Sequence, residues 1–150
     1  MTAEYLKEIC KSKFGKNAEP NNIIKPSTGK FNESYFFSLD GKDYVFRMAP
    51  PDDAGFLFYE KNMMAQEPGL HKIIREKTTI PVAEIFVYDD SKTIAPRPYI
   101  IMGKLSGEPL PYSYNFSIYK VLKQTGQYLK QLHSITLLTI LLLSLRDVMH

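Results

Sequence analysis

Apolar and polar positions along the chain follow two periods, one typical of helices and one typical of strands. Over residues 2 to 14 the apolar side chains recur at helical spacing, which predicts an amino-terminal helix. Three segments with strand character follow, and Asp40-Gly41 between the second and the third is a strong signal for a hairpin turn. The pattern therefore predicts a three-stranded antiparallel meander over residues 22 to 27, 31 to 40 and 42 to 49.

Prolines divide the next part of the chain. Pro50-Pro51 ends the meander, and Pro68, which is tolerated only in a first helical turn or at a break, separates two predicted helices. Two further strands and a long final helix complete the pattern of an α+β domain, with a five-stranded antiparallel sheet and helices on one side. These helices span about 53 to 66, 67 to 77 and 116 to the end, and the strands span 84 to 88 and 98 to 103.

Composition limits the class of protein more than its function. The chain has 150 residues, of which 44% are hydrophobic and 23% charged, and this suits one ordinary folded domain. The net charge is +3 and no basic stripe alternates with aromatic residues, so we expect no nucleic-acid partner. Cys10 is the only cysteine, and the three histidines are far apart, which excludes an intrachain disulfide and disfavours a zinc site.

The two ends of the chain bear on its location. The amino-terminal residues have no long apolar run and do not form a secretory signal. The leucine-rich residues 134 to 145 are uncharged but too short to span a bilayer. We therefore expect a cytoplasmic protein without a membrane partner.

The turn between the first two predicted strands is the first segment with candidate chemistry. Ser27, Thr28, Gly29 and Asn32 offer hydroxyl groups and backbone N–H groups that could bind a phosphate. The turn has one glycine and no Gly-Lys-Ser/Thr run at the right spacing, so it is not a Walker-type loop. An ordinary hairpin turn explains the same residues.

Arg47 is the second candidate, because it lies on the strand face opposite to Tyr44 and Phe46. A cation inside a sheet needs a partner, and a helix carboxylate would turn it into a phosphate-binding group. Glu67 and Glu60 are both available as that partner, and spacing alone does not choose between them. An arginine whose head reaches solvent at a sheet edge is the simpler alternative.

The apolar run Ile100-Ile101-Met102 predicts a buried strand that continues through Gly103 into an extended segment. Backbone groups that leave a sheet in this way can hydrogen-bond a flat heterocycle. A core strand followed by a turn accounts equally well for the run.

The order of these features resembles the amino-terminal lobe of protein-kinase-like enzymes. In detail the chain is similar to the aminoglycoside phosphotransferase family over about residues 20 to 135. The stretches that carry the resemblance are IIKPSTGKFNESYFFSLDGKDYVFRMAPP, FLFYEKNMMAQEPGLHKIIREKTTIPVAEIFVYDD, RPYIIMGKLSGEPL and GQYLKQLHSI. The resemblance implies a kinase-like nucleotide-binding lobe over residues 1–105, a hinge linker over 106–114, and the first helix of a second lobe, with a leucine-rich tail, over 115–150.

The resemblance also implies that the lobe holds ATP between the sheet and the hinge. Gly29 and its neighbours Ser27, Thr28 and Asn32 would cover the phosphates. Arg47 takes the place of a strand lysine that contacts the α and β phosphates, with Glu67 as its partner; arginine keeps the charge but changes the geometry. The groups around adenine would be Ile24 and Val45 on the purine faces, Met102 at the back, the Gly103 carbonyl and the Leu105 N–H.

The family's catalytic chemistry lies in a second lobe whose motifs do not occur in this sequence. His133 is followed by Ser-Ile rather than Gly-Asp, and Asp147 lacks both the preceding histidine and the following asparagine of the catalytic loop. We therefore expect ATP binding, with magnesium only in full-length members, and no catalysis by these residues alone. The sequence after Ile135 departs from the family. Three explanations of these residues stay open: the tail of a truncated gene product, a helix extension that covers the lobe and, least favoured, a segment on a membrane surface.

The leading hypothesis is the ATP-binding lobe of a small-molecule phosphotransferase. A full-length form would move the γ-phosphate of ATP to a hydroxyl of an aminoglycoside-like or amino-alcohol acceptor. The alternative is a non-catalytic nucleotide-binding or protein-interaction module. A first lobe alone leaves apolar surface uncovered, so we also expect self-association.

Overall fold

The computed structural model describes residues 2–26, 32–51, 63–108, 110 and 116–135. In this part of the chain, five strands form one antiparallel sheet in the order β1-β2-β3-β5-β4. The elements are α1 (Thr2–Phe14), β1 (Asn21–Ile24), β2 (Glu33–Leu39), β3 (Lys42–Met48), α2 (Met63–Lys77), β4 (Ile85–Asp89), β5 (Tyr99–Gly103) and α3 (Ile118–Ser134). The α+β class and the five-stranded antiparallel sheet predicted from the sequence are confirmed.

The chain forms two compact units. Unit 1 comprises residues 1–68 and 83–104 and contains α1 and the whole sheet. Unit 2 comprises residues 69–82 and 105–150 and contains the last part of α2 together with α3. The division into a lobe, a hinge linker and a further helix stays a prediction.

The turn between β2 and β3 sets the register of the central strands. Asp40 and Gly41 have φ angles of 50° and 74°, so both central residues of this two-residue turn are left-handed. Such a turn matches the twist of a hairpin, and only residues tolerant of positive φ adopt it readily. Leu39 consequently faces Lys42, and Ser34 near the far end of the hairpin faces Arg47.

Both faces of the sheet carry buried side chains. On one face, Phe46 and Ile101 pack with Leu6 and Ile9 of α1 in the larger apolar cluster. On the other face, a smaller cluster within unit 1 contains Ile100, Met102, Ala83 and Met64, of which Met64 belongs to α2. The sequence pattern places helices on one side, whereas the structure has helical residues against both. A strand with apolar side chains on both sides, as in β5, requires cover on both.

The helix boundaries differ from the predicted ones at two places. The helix α2 runs without a break through Pro68, so the predicted division between 66 and 67 is wrong. Pro68 has no N–H to donate to the carbonyl of Met64, but α2 continues past this one missing bond. The helix α3 ends at Ser134, because Ile135 has φ −75° and ψ 112°, so the predicted helix to the end of the chain is also wrong. Residues 52–62 and 136–150 lie outside the described residues.

In unit 2, α3 is attached by a polar side chain. Ser117 caps the helix by accepting a bond from the Lys120 N–H. The Gln131 side chain accepts bonds from the Thr79 N–H, at 2.7 Å, and from the Thr79 hydroxyl. No residue of α3 is buried, and its apolar side chains include Leu122 at 64% exposure.

Within the described ranges, none of the helices has the length and the apolar content to cross a membrane.

Candidate functional site

Four of the residues predicted to bind a nucleotide share one face of the sheet. Facing residues on neighbouring antiparallel strands project their side chains to the same side. Ile24 faces Phe36, Phe36 faces Val45, and Val45 faces Met102, so these side chains form a row across the sheet. We call this side, which also carries Arg47, the site face. It lies opposite to α1.

Arg47 forms a two-bond ion pair with Glu67 across the site face. Its Nη1 donates to Oε2 of Glu67 at 2.8 Å, and its Nη2 donates to Oε1 at 3.2 Å. The two side chains are 26% and 21% exposed, so both are largely but not fully withdrawn from water. The parallel fork geometry fixes the plane of the guanidinium as well as its position. The alternative partner Glu60 lies outside the described residues.

The local sequence explains why Glu67 faces the sheet. Met64 is 6% exposed and belongs to the apolar cluster on the site face. Residues three apart lie on the same side of a helix, so burial of Met64 turns Glu67 towards the sheet as well. On β3, Arg47 follows Val45 by two positions and therefore shares its face.

The guanidinium retains hydrogen-bonding capacity beyond its partner. Of its five N–H donors, the bonds to Glu67 use two. Arg47 is also partly exposed, so a ligand can approach the remaining donors. An oriented, permanently charged group of this kind suits a phosphate oxygen better than a freely rotating surface arginine does.

The apolar row beside Arg47 offers a surface for a flat ring. Met102 is 7% exposed, Val45 is half-buried and Ile24 is 59% exposed. The surface of Ile24 that remains open is apolar, and contact with an aromatic ligand would remove it from water. The site face therefore carries the apolar row and, beside it, the cation of Arg47.

Gly103, whose carbonyl is predicted to bind adenine, is the last residue of β5, and Leu105, whose N–H is predicted to do so, follows two residues later. The Lys104 N–H donates to the Asp43 carbonyl at 3.0 Å, and the Gly103 N–H donates to the Glu84 carbonyl at 2.9 Å. Gly103 faces Tyr44 of β3. The bond from Lys104 to Asp43 flanks this pair, so Gly103 and Tyr44 exchange no backbone hydrogen bonds with each other. Leu105 is 53% exposed and belongs to unit 2.

The predicted phosphate turn falls mostly outside the described part of the chain. Ser27, Thr28 and Gly29 are not described, whereas Asn32 is half-buried directly before β2. Their contribution to a site stays a prediction. Within the described ranges, no three His, Cys, Asp or Glu side chains gather as a metal site would require.

Phe36 is a residue of the site face that the sequence reasoning did not single out. It lies between Ile24 and Val45, and Lys104 Nζ is 5.1 Å from the centroid of its ring. The signal was present in the sequence, because Phe36 and Phe37 are adjacent and must project to opposite faces of a strand. Burial of Phe37 against the α1 side therefore assigns Phe36 to the site face.

Tyr88 adds an un-ionised phenol to the cluster on the site face. Burial raises the pKa of Tyr88 to about 12, and the hydrogen bond from its hydroxyl to Asp90 acts in the same direction. The phenol therefore remains protonated at neutral pH and acts as a donor, not as a base.

Comparison with known proteins gives similarity at the level of structure. No protein-family model matches the chain, and no curated protein sequence does so. The aminoglycoside phosphotransferase APH(4)-Ia superposes with a TM-score of 0.59 and 16% identity, over 90% of this chain and 40% of that one. A Ralstonia eutropha JMP134 protein described as an aminoglycoside phosphotransferase superposes with a TM-score of 0.52 and 18% identity, over 71% of this chain and 28% of that one.

The chain therefore spans less than half the length of either protein. At identities below one fifth, the similarity concerns the arrangement of the backbone. The five-stranded sheet and the helices of this chain have the fold of part of an aminoglycoside phosphotransferase.

Proposed function

We propose that the chain binds ATP on the site face, as the nucleotide-binding lobe of a small-molecule phosphotransferase. The observation that carries this proposal is the ion pair between Arg47 and Glu67, set beside the apolar row of Val45 and Met102. A nucleotide needs both an apolar surface for its base and a cation for its phosphates. The fold similarity to aminoglycoside phosphotransferases supports the same assignment.

In this proposal Arg47 binds the α and β phosphates with the N–H groups that Glu67 does not use. Glu67 holds the guanidinium in place and lowers the cost of keeping its charge partly out of water. Ser27, Thr28, Gly29 and Asn32 supply further donors to the phosphates.

The base is proposed to lie against the apolar row. Ile24 and Val45 contact the faces of the purine, and Met102 closes the back of the site. The Gly103 carbonyl accepts a bond from the adenine amino group, and the Leu105 N–H donates to the adjacent ring nitrogen.

We also propose that these residues bind ATP without transferring its γ-phosphate. Transfer to an acceptor hydroxyl in such enzymes needs an aspartate to take the hydroxyl proton and another to hold magnesium. The sequence has neither the His-Gly-Asp loop nor a later aspartate in a matching context. The proposal assigns binding of an aminoglycoside-like or amino-alcohol acceptor to none of these residues.

Calorimetric titration of the wild type and of Arg47→Met with ATP and with adenosine tests the nucleotide site. Loss of one charge-assisted phosphate contact is worth about 1.5–3 kcal/mol, so Kd for ATP should rise roughly 10- to 100-fold. Kd for adenosine should stay unchanged, because adenosine has no phosphates. Lys11→Met, which removes an exposed cation paired with Glu19, is the matched control.

Two outcomes would contradict the proposal. The first is a wild type that shows no heat of binding and no thermal stabilisation at millimolar ATP, a concentration at which bound nucleotide stabilises the fold by mass action. Alternatively, Arg47→Met could weaken adenosine as much as ATP. Formation of ADP with magnesium and an amino-alcohol or aminoglycoside acceptor, at rates typical of kinases, would overturn the second proposal.

A further inference from the structure

Arg97, in the segment between β4 and β5, joins the ends of two strands. Its Nη1 donates to the Ala49 carbonyl at 2.8 Å, and its Nη2 donates to Oε2 of Glu33 at 2.8 Å. The side chains of Arg97 and Glu33 are only 21% and 24% exposed. Glu33 also accepts a bond from the Tyr35 hydroxyl at 3.0 Å and lies 3.6 Å from Lys25 Nζ. One guanidinium thus connects the residue that begins β2 with the residue that follows β3.

The point of attachment is the open end of the hairpin. Glu33 faces Met48 in the last pair between β2 and β3, and the next pair inward is Ser34 with Arg47. Beyond Met48, the Ala49 N–H donates to the Pro98 carbonyl at 2.8 Å. Pro50-Pro51 follows and has no backbone N–H to extend the ladder. The bond from Arg97 therefore secures an end of the sheet that its own ladder cannot prolong.

Arg97 lies on the wrong side of the sheet to contact a ligand on the site face. Glu33 faces Met48, which is buried in the cluster against α1, and so projects to the α1 side. Arg47 and Glu67 lie on the opposite side. Any influence of Arg97 on a nucleotide must therefore pass through the backbone of β2 and β3.

We infer that Arg97 is a positioning residue for Arg47, and this inference rests on the proposed function. Without its two bonds, the last pairs of the hairpin open more often, and the guanidinium of Arg47 moves away from the phosphates. Val45 lies two residues, or about 6.6 Å, further from the strand end that Arg97 secures, so the base contacts remain in place.

The test compares Arg97→Met and Arg97→Lys with the wild type by titration with ATP and with adenosine. Methionine keeps most of the apolar stem and leaves Glu33 with Tyr35 and Lys25 as partners, while lysine keeps the charge but not the fork. Both variants should bind ATP about tenfold more weakly and adenosine within about twofold of the wild type. Lys11→Met, which breaks the exposed ion pair between Lys11 of α1 and Glu19, should change neither value.

Amide hydrogen exchange supplies the second readout. Arg97→Met should exchange faster over residues 33–35 and 47–49, at the open end of the hairpin, and at the wild-type rate over residues 37–39 and 42–44, at its closed end. Equal weakening of ATP and adenosine, unchanged ATP binding, or unchanged exchange at the hairpin end would each overturn the inference. These outcomes are distinct from failure of the proposed function, in which the wild type itself binds no ATP; that result would overturn both.

Discussion

A double-mutant cycle of Glu67→Gln and Arg47→Met measures how much the ion pair between these residues contributes to the free energy of unfolding. The exposures of 26% and 21% place the pair between surface ion pairs, which contribute about 0–1 kcal/mol, and fully buried ones, whose disruption costs about 3–5 kcal/mol. Glutamine has one acceptor oxygen where glutamate has two, so Glu67→Gln keeps at most one of the two bonds, and a partly desolvated guanidinium loses its counter-charge. We expect the free energy of unfolding to fall by about 1–2 kcal/mol.

Arg47→Met leaves the Glu67 carboxylate without its partner and should cost about 1 kcal/mol for the same reason. In the double variant both charges are absent, so no partly buried charge is left without its partner. This variant should therefore be more stable than the sum of the single losses predicts. We expect a coupling free energy of about 1–2 kcal/mol. In a domain of this size, each kilocalorie corresponds to a melting shift of about 4 °C.

Urea unfolding monitored by far-ultraviolet circular dichroism suits this protein, which has no tryptophan. All four forms should share one m-value, so that midpoints report stability alone. The coupling should survive 0.5 M salt, because a largely buried pair is screened less than an exposed one. Additive single losses would refute the reasoning, since Glu67 would then contribute nothing to the orientation of Arg47.

Three further predictions concern the rest of the molecule. Hydrogen bonds from Lys13 and then Ser91 lower the pKa of Asp89 in the folded protein. Ionised Asp89 therefore contributes its full stabilisation of the fold above the ordinary aspartate pKa, and this contribution is lost as pH falls. Asp89→Asn should flatten the acid limb of a pH–stability profile below about pH 4. Burial raises the pKa of Cys10 to about 11, so a thiol reagent should label it only after urea unfolding, and fast labelling of the native protein would contradict its burial. Exposed apolar side chains on α3 should promote self-association, which Leu122→Lys should reduce in light scattering; a clean wild-type monomer would disprove this.

Short-range patterns predicted the strands well, because each depends on neighbours in the sequence. Alternation placed Tyr44 and Phe46 on one side of β3 and Arg47 on the other, as the structure shows. The Asp40-Gly41 turn follows from local backbone preferences and was found where it was expected. These features need no knowledge of what the sheet packs against.

Helix boundaries were less predictable, because tertiary packing competes with local preference. Pro68 signals a break, but α2 continues through it, with Met64 before it buried against the sheet and Ile73 after it also buried. The apolar residues after Ser134 favour a longer helix, but Ile135 leaves the helical conformation. Neither outcome can be read from propensities that describe one residue at a time.

The sequence by itself determined that a cation would lie on one side of β3, with apolar residues beside it, because strand alternation is local. It left two glutamates as partners, since the distance between a strand and a helix in space does not depend on their separation along the chain. The tertiary structure brought Glu67 to 2.8 Å from Arg47 by burying Met64 one turn earlier. It also revealed Arg97, whose contacts with Glu33 and Ala49, 64 and 48 residues away, no local pattern encodes.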